Sequence, residues 1–231
     1  MTTITLVTGA TRGLGREAVR RLVVEEGHDV WLAARDPERG TAAAAALGAR
    51  FVHLDVTDDA SVAAAARTVL DTSGRLDVLV NNAGVPGGGA AADELTADAL
   101  RRVLETNVLG AVRVTHAFLP LLRASGRASV VNVSSGLGSF TQMTATPWGR
   151  YGSLAYSTSK AALTMLTVQY ARAVPEVRFN AVDPGFTATD LNGGTGTQTV
   201  REGTDAIVRL AVLGDAAPTG TFTDRAGTVP W

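Results

Sequence analysis

Six short runs rich in β-branched residues recur along the chain: Ile4 to Thr8, Asp29 to Ala33, Arg50 to Leu54, Val78 to Asn81, Ser129 to Val133 and Val177 to Val182. Each is separated from the next by longer segments of helical character. The runs are nearly continuous in apolar residues, with little alternation between apolar and polar. A strand reads this way when both of its faces are covered, and helical crossovers cover a parallel sheet on both faces. The pattern predicts an α/β fold, a doubly wound parallel sheet with helices on both faces.

The predicted helices are Leu14 to Glu26, stopped by Gly27; Pro37 to Leu47, stopped by Gly48; Asp58 to Thr72; Ala97 to Arg123; Ala155 to Ala173; and Thr199 to Leu213. Pro120 falls inside the fourth and is expected to kink or end it. The alanine runs Ala42 to Ala46 and Ala63 to Ala66 are expected on surface helices, alanine being the best helix former. A chain of 231 residues, 45% hydrophobic, carries enough apolar material for a large core. Doubly wound sheets of this length commonly form one unit, so residues 1–231 are expected to be a single Rossmann-type domain.

Composition excludes several classes of function. A formal net charge of −1 offers no basic field for nucleic acid or an anionic membrane. There is no cysteine, and His28, His53 and His116 lack ligand-like spacing, so no metal site is expected. The first residues, Met1 to Val7, carry no positive charge ahead of the apolar run, unlike a secretory signal. No apolar run approaches the roughly 18 to 20 residues that span a bilayer. The expectation is a soluble, cytoplasmic protein.

Three segments resist a regular reading: Gly84 to Ala92, Gly136 to Gly152 and Pro184 to Gln198. Each follows a strand, and in a doubly wound sheet ligands lie beyond the carboxyl ends of the strands. Loops at about 84–95, 136–152 and 184–198 are therefore expected to form the rim of a substrate site. The first strand runs into Thr8-Gly9-Ala10-Thr11-Arg12-Gly13-Leu14-Gly15, with glycines spaced G-x-x-x-G-x-G. Here the backbone must turn, approach a pyrophosphate and open a helix whose first amides face the anion. Structural turns also produce glycine trios; the position between a strand and a helix strengthens the reading.

Tyr156 and Lys160 stand one helical turn apart in Tyr156-Ser157-Thr158-Ser159-Lys160, so both share one face near the start of a helix. For a tyrosine to act as acid/base at neutral pH, a reference pKa near 10 must fall by about 3 units, roughly 4 kcal/mol. A cation four residues away supplies part of that. Tyr-x-x-x-Lys also arises by chance on many helices.

Taken together, these motifs resemble the short-chain dehydrogenase/reductase family along essentially the whole chain. Thr8 to Gly15 matches that family's dinucleotide fingerprint, implying cofactor contacts at Gly9, Thr11, Arg12, Gly13, Leu14 and Gly15. Asn81-Asn82-Ala83-Gly84 resembles the segment lining the adenosine side. Asp55, with Val56 beside it, matches the residue that holds the adenine amino group; Asp55 also reads as a helix-capping acid. The resemblance implies that Lys160 bonds the nicotinamide ribose, Tyr156 protonates a carbonyl oxygen and Ser135 polarises it. Asn107 matches the helix asparagine that anchors a proton-relay water. Ser134 adjoins Ser135, but one step along a strand reverses the side chain; Tyr151 has Ala155 where a lysine is needed. Asp183-Pro184-Gly185-Phe186-Thr187-Ala188-Thr189 resembles the turn whose backbone and threonines hold the nicotinamide carboxamide, through Pro184, Gly185, Thr187 and Thr189. Asn192 to Thr197 is expected to be a lid that orders on binding.

An NAD enzyme would place an acid after Trp31-Leu32-Ala33-Ala34; here stands Arg35, with Arg12 in the glycine loop. Two guanidiniums suit a 2′-phosphate, so NADP(H) is favoured over NAD(H), although Arg35 has Asp36 as a neighbouring acid to pair with. The stretch between Ser135 and Tyr156 is longer than the usual family spacer and carries Phe140, Met143, Pro147, Trp148 and Tyr151. It resembles, shortened, the insertion of the carbonyl-reductase branch, which is often monomeric; monomer and homo-oligomer both stay open. Trp148 and Trp231 either line a pocket or pack the surface. The implied function is NADP(H)-dependent hydride transfer between nicotinamide and a small carbonyl or alcohol substrate. Two alternatives remain, an NAD-dependent alcohol dehydrogenase and a catalytically silent dinucleotide sensor.

Overall fold

The computed structural model describes residues 2–88, 92–145 and 154–231. Seven strands, β1 (Ile4–Thr8), β2 (Asp29–Ala34), β3 (Arg50–His53), β4 (Val78–Asn81), β5 (Ser129–Val133), β6 (Arg178–Val182) and β7 (Thr221–Thr223), form one sheet. Their order is β3-β2-β1-β4-β5-β6-β7, and every neighbouring pair is parallel. The winding reverses between β1 and β4, the switch point at which such sheets open a crevice. The short β7, with one buried side chain between two threonines, carries too little apolar signal to be read from sequence.

The apolar runs are continuous because successive side chains enter different cores. Leu6, Trp31, Ala33, Leu79 and Val130 pack into one cluster, while Val7, Val30, Leu32, Val80 and Val131 pack into the other. The described helices are α1 (Gly13–Val24), α2 (Pro37–Leu47), α3 (Asp59–Ser73), α4 (Ala97–Leu104), α5 (Gly110–Ser125), α6 (Phe140–Ala145), α7 (Leu154–Ala173), α8 (Val200–Gly203) and α9 (Asp205–Val212), of which α1, α2, α3, α5, α7 and α9 pack on the strands. Helix α1 buries Gly15, Ala18, Val19 and Leu22, a 3–4 spacing that lays one stripe on the sheet. The Asp36 and Asp58 side chains cap α2 and α3.

Several boundaries differ from expectation. The stretch Ala97 to Arg123 is two helices separated by a π turn, Glu105–Leu109, which holds Asn107. Pro120 does not end α5: buried Leu121 and Leu122 hold the last turn to the core, and Gly126, at φ 73°, stops it. Thr199 to Leu213 divides at the buried Thr204 into α8 and α9. The alanine runs are amphipathic, with Ala44, Ala65 and Ala66 buried. Among the described residues, no helix is long and apolar enough to cross a membrane.

Candidate active site

Beyond the carboxyl ends of the strands lies a cleft of ≈1320 Å³, lined by the residues predicted above to hold a dinucleotide except Asn81, which is buried against Thr115 and Asn132. Its floor is the junction of β1 and β4. Thr8 Oγ1 accepts the N–H groups of Asn82 (3.0 Å) and Ala83 (3.1 Å), and Asn82 Nδ2 donates to the carbonyls of Thr8 (2.8 Å) and Gly9 (3.2 Å). This bracing leaves no room for side chains. A Cβ on Gly9, at φ +64°, would stand 2.9 Å from Ala83 Cα, and one on Gly15 would fall on Asn82 Nδ2. The turn then opens α1, whose first amides, unlike those of α2 and α3, have no side-chain cap and no acid in the first turn. Uncapped amides and the positive end of the helix dipole suit a pyrophosphate.

One wall is basic. Arg12, Arg35 and Arg39 all line the cleft. Asp36 does not engage Arg35; its carboxylate accepts the Arg39 N–H at 3.1 Å as the cap of α2. Arg39, one turn into that helix, was missed from sequence because its register relative to the cleft depends on where α2 starts. Asp55 accepts the N–H (2.9 Å) and hydroxyl (2.8 Å) of Thr57, while Asp58 caps α3, so the capping role belongs to Asp58. Arg12 reaches over the cleft to Asp190 at 3.3 Å.

The other wall belongs to the β4–β7 half of the sheet. From β2 to β5 is three strand spacings, about 14 Å, the scale of a dinucleotide. Ser135 follows β5 in an extended conformation and hydrogen-bonds the Tyr156 phenol. Ser134 points the opposite way, its hydroxyl bonded to the Lys160 carbonyl (3.1 Å) and Thr164 Oγ1 (2.7 Å), which ties β5 to α7. Lys160 is buried, and its ammonium donates to the Val133 carbonyl at 2.7 Å, 5.5 Å from the centre of the Tyr156 ring.

These ionisations differ from the sequence expectation. Burial pushes the Tyr156 phenol up to about 12, the Asp183 carboxylate adds to the rise, and the Ser135 hydrogen bond opposes it. Burial also pushes Lys160 down to about 8. The lysine was expected to draw the phenol down. In this buried site the phenol responds to desolvation, Asp183 and Ser135 instead, and desolvation is the largest of these.

Asn107 does not line the cleft. It lies behind it, 1% exposed, with Oδ1 accepting the Val85 N–H (2.8 Å) and Nδ2 donating to the Val85 carbonyl (3.1 Å) and Ser159 Oγ (2.9 Å). It thereby joins the loop after β4 to the helix carrying Tyr156. The expected irregular segment after Ser135 contains a 3-10 turn, Gly136–Gly138, and helix α6. Pro147, Trp148 and Tyr151 lie outside the described residues. Phe140 is 72% exposed, and Trp231 stacks on Phe222 at 5.9 Å while its carbonyl accepts the Thr141 N–H (2.9 Å). Within Asn192 to Thr197, the segment expected to be a lid, Thr195 Oγ1 donates to the Asn192 carbonyl (2.8 Å), while the Gly194 and Thr197 N–H groups reach outside it to the carbonyls of Thr189 (2.9 Å) and Phe186 (2.7 Å). Gln142, Asp183 and Asp224 also line the cleft and were not foreseen as site residues.

Known proteins are similar to this chain in sequence and fold. The family described as short chain dehydrogenase matches residues 3–199. A (+)-neomenthol dehydrogenase of Arabidopsis thaliana is 34% identical, with 95% of each chain covered. A polyketide synthase putative ketoacyl reductase of the granaticin system in Streptomyces violaceoruber is 40% identical over 80% of this chain and 73% of its own. Among solved structures, an NADPH-bound carbonyl reductase from chicken fatty liver superposes with a TM-score of 0.88 at 30% identity, covering 100% of this chain and 99% of that one. With the family spanning most of the chain and relatives aligned along nearly all of it, the protein belongs to the short-chain dehydrogenase/reductase family and is an oxidoreductase of alcohol and carbonyl groups.

Proposed function

We propose that the protein is an NADP(H)-dependent reductase of aldehydes or ketones in which Tyr156 is the proton donor. The observation that carries this reading is one cleft with three guanidiniums on one wall and a protonated phenol, bonded to Ser135 beside a buried lysine, on the other. The charge-assisted bonds that Arg12, Arg35 and Arg39 can offer suit a 2′-phosphate, and Asp36 is occupied as a helix cap. The similar avian carbonyl reductase, solved with NADPH bound, supports the same choice.

Bound there, NADP(H) supplies the hydride; the remaining work falls to side chains. Ser135 and Tyr156 present two hydroxyls to one carbonyl oxygen, and the phenol gives up its proton as negative charge develops on that oxygen. Lys160, pinned by the Val133 carbonyl, places a cation near the phenolate that results. Asn107 fixes Val85 and Ser159, keeping the loop after β4 in register with the tyrosine helix. Val85, Pro86, Leu137, Phe186 and Leu191 give the cleft an apolar mouth suited to an apolar carbonyl compound.

The test is NADPH consumption by the purified protein against aldehydes, quinones and cyclic ketones, with NADH in parallel. Turnover with preference for NADPH is expected. Preference for NADH would make it an NAD-dependent alcohol dehydrogenase, and tight NADPH binding without turnover would make it a sensor.

A further inference from the structure

Asp183, the first residue after β6, takes no part in the reaction as described so far. Three elements fix its position. Its N–H donates to the Thr223 carbonyl at 2.8 Å, seating it at the end of the sheet beside β7. Its Oδ1 accepts the Gly185 N–H at 2.9 Å, and its carboxylate also takes the N–H of Gly136. A Cβ on Gly136 would stand 2.7 Å from Asp183 Oδ2, so the approach depends on glycine there. One carboxylate therefore clasps the loop after β5, which carries Ser135, to the turn after β6, and it lines the cleft together with Ser135 and Tyr156.

Building on the proposed reductase, we propose that Asp183 is a positioning residue for the proton transfer. Its carboxylate joins the two loops flanking the reacting carbonyl and, as a negative charge facing Tyr156, sets the pH range in which the phenol acts as an acid. Among the described residues, Ser135, Lys160 and Asp183, from three different elements, face Tyr156; Tyr156 and Asp224 after β7 face Asp183, and Gln142 of α6 brings its Oε1 to the same side of Gly136 as Asp183 Oδ2. Asp224 is itself held by the N–H groups of Ala226 (2.7 Å) and Gly227 (2.8 Å). Burial raises the Asp183 carboxyl above its ordinary range, the Gly185 and Gly136 bonds oppose this, and Asp224 adds to it. A carboxylate beside a phenol disfavours the phenolate. Such a site keeps its proton for reduction and resists the deprotonation that alcohol oxidation requires.

The test is Asp183→Asn, nearly isosteric and uncharged, with pH profiles of carbonyl reduction and alcohol oxidation. Removing the charge lowers the phenol pKa. The alkaline limb of reduction and the acid limb of oxidation both move to lower pH, by about one unit, and oxidation at neutral pH rises about tenfold. Asp183→Ser, which also loses the bonds to Gly136 and Gly185, shows the same shift together with faster hydrogen exchange at those two amides. Folded variants whose profiles superimpose on wild type overturn the proposal, as does failure of both to fold, which would make Asp183 purely structural. If wild type turns over no carbonyl, the reductase reading fails; if it does and the profiles stay fixed, only this inference fails.

Discussion

The two walls of the cleft are built differently. On the side proposed to hold the dinucleotide, the turn is built from backbone: glycines packed against Asn82 and Ala83, and the uncapped start of α1. Those requirements reduce to residue identities at fixed spacing. On the reacting side, the parts come from distant places in the chain. Ser139 Oγ bonds the Pro230 carbonyl at 2.6 Å, Phe222 stacks on Trp231, and Asp183 clasps Gly136. Apart from Arg39, the first wall is a motif that any reader of the sequence can find. The second is an assembly that exists only once the chain has folded.

Substitutions on each wall sharpen this contrast. The largest effect is expected on the reacting side. Tyr156→Phe removes the proposed proton donor and keeps the ring, so kcat is expected to fall by about 10² to 10⁴ while NADPH affinity barely changes. Single-turnover kinetics beside fluorescence titration of NADPH separate the two. A variant that keeps wild-type turnover would move the acid to another group and dissolve the assembly described above.

On the other wall the expected effect is smaller and falls on binding. Arg35→Ser and Arg39→Ser each remove a guanidinium from the cleft while leaving the glycine turn intact. Each is expected to weaken NADPH about 10- to 100-fold, the loss of a charge-assisted bond, and to leave NADH nearly unaffected. Calorimetric titration with both cofactors checks this. Equal losses for both would show that these guanidiniums do not face the 2′-phosphate.

The contrast also explains what the sequence could tell. Six of the seven strands and the glycine turn were legible, because continuous apolar runs and glycine spacing are local signals. The pairing of Ser135 with Tyr156 followed from family order, and the opposed directions of Ser134 and Ser135 followed from strand geometry. The break at Glu105–Leu109 was hidden, since a π turn keeps helical composition and is decided by what Asn107 reaches across to. The rise of the phenol pKa was hidden as well, because burial and Asp183 are properties of the folded site. Helix α6 and the seat of Trp231 depend on one another through Thr141, a contact between residues 90 positions apart.

The smallest effect is expected where the walls meet. Arg12 and Asp190 pair at 3.3 Å with side chains 64% and 69% exposed, so the pair adds little to stability. Its interest lies in sharing: the guanidinium held by Asp190 is one that a 2′-phosphate would recruit. Asp190→Asn frees it, and NADPH affinity is expected to rise about two- to fivefold with the melting temperature unchanged, the gain fading as salt screens both interactions. Binding measured at low and high ionic strength checks this. A loss of affinity would instead mean that Asp190 anchors the loop over the bound cofactor, and the two walls would then be coupled through it rather than independent.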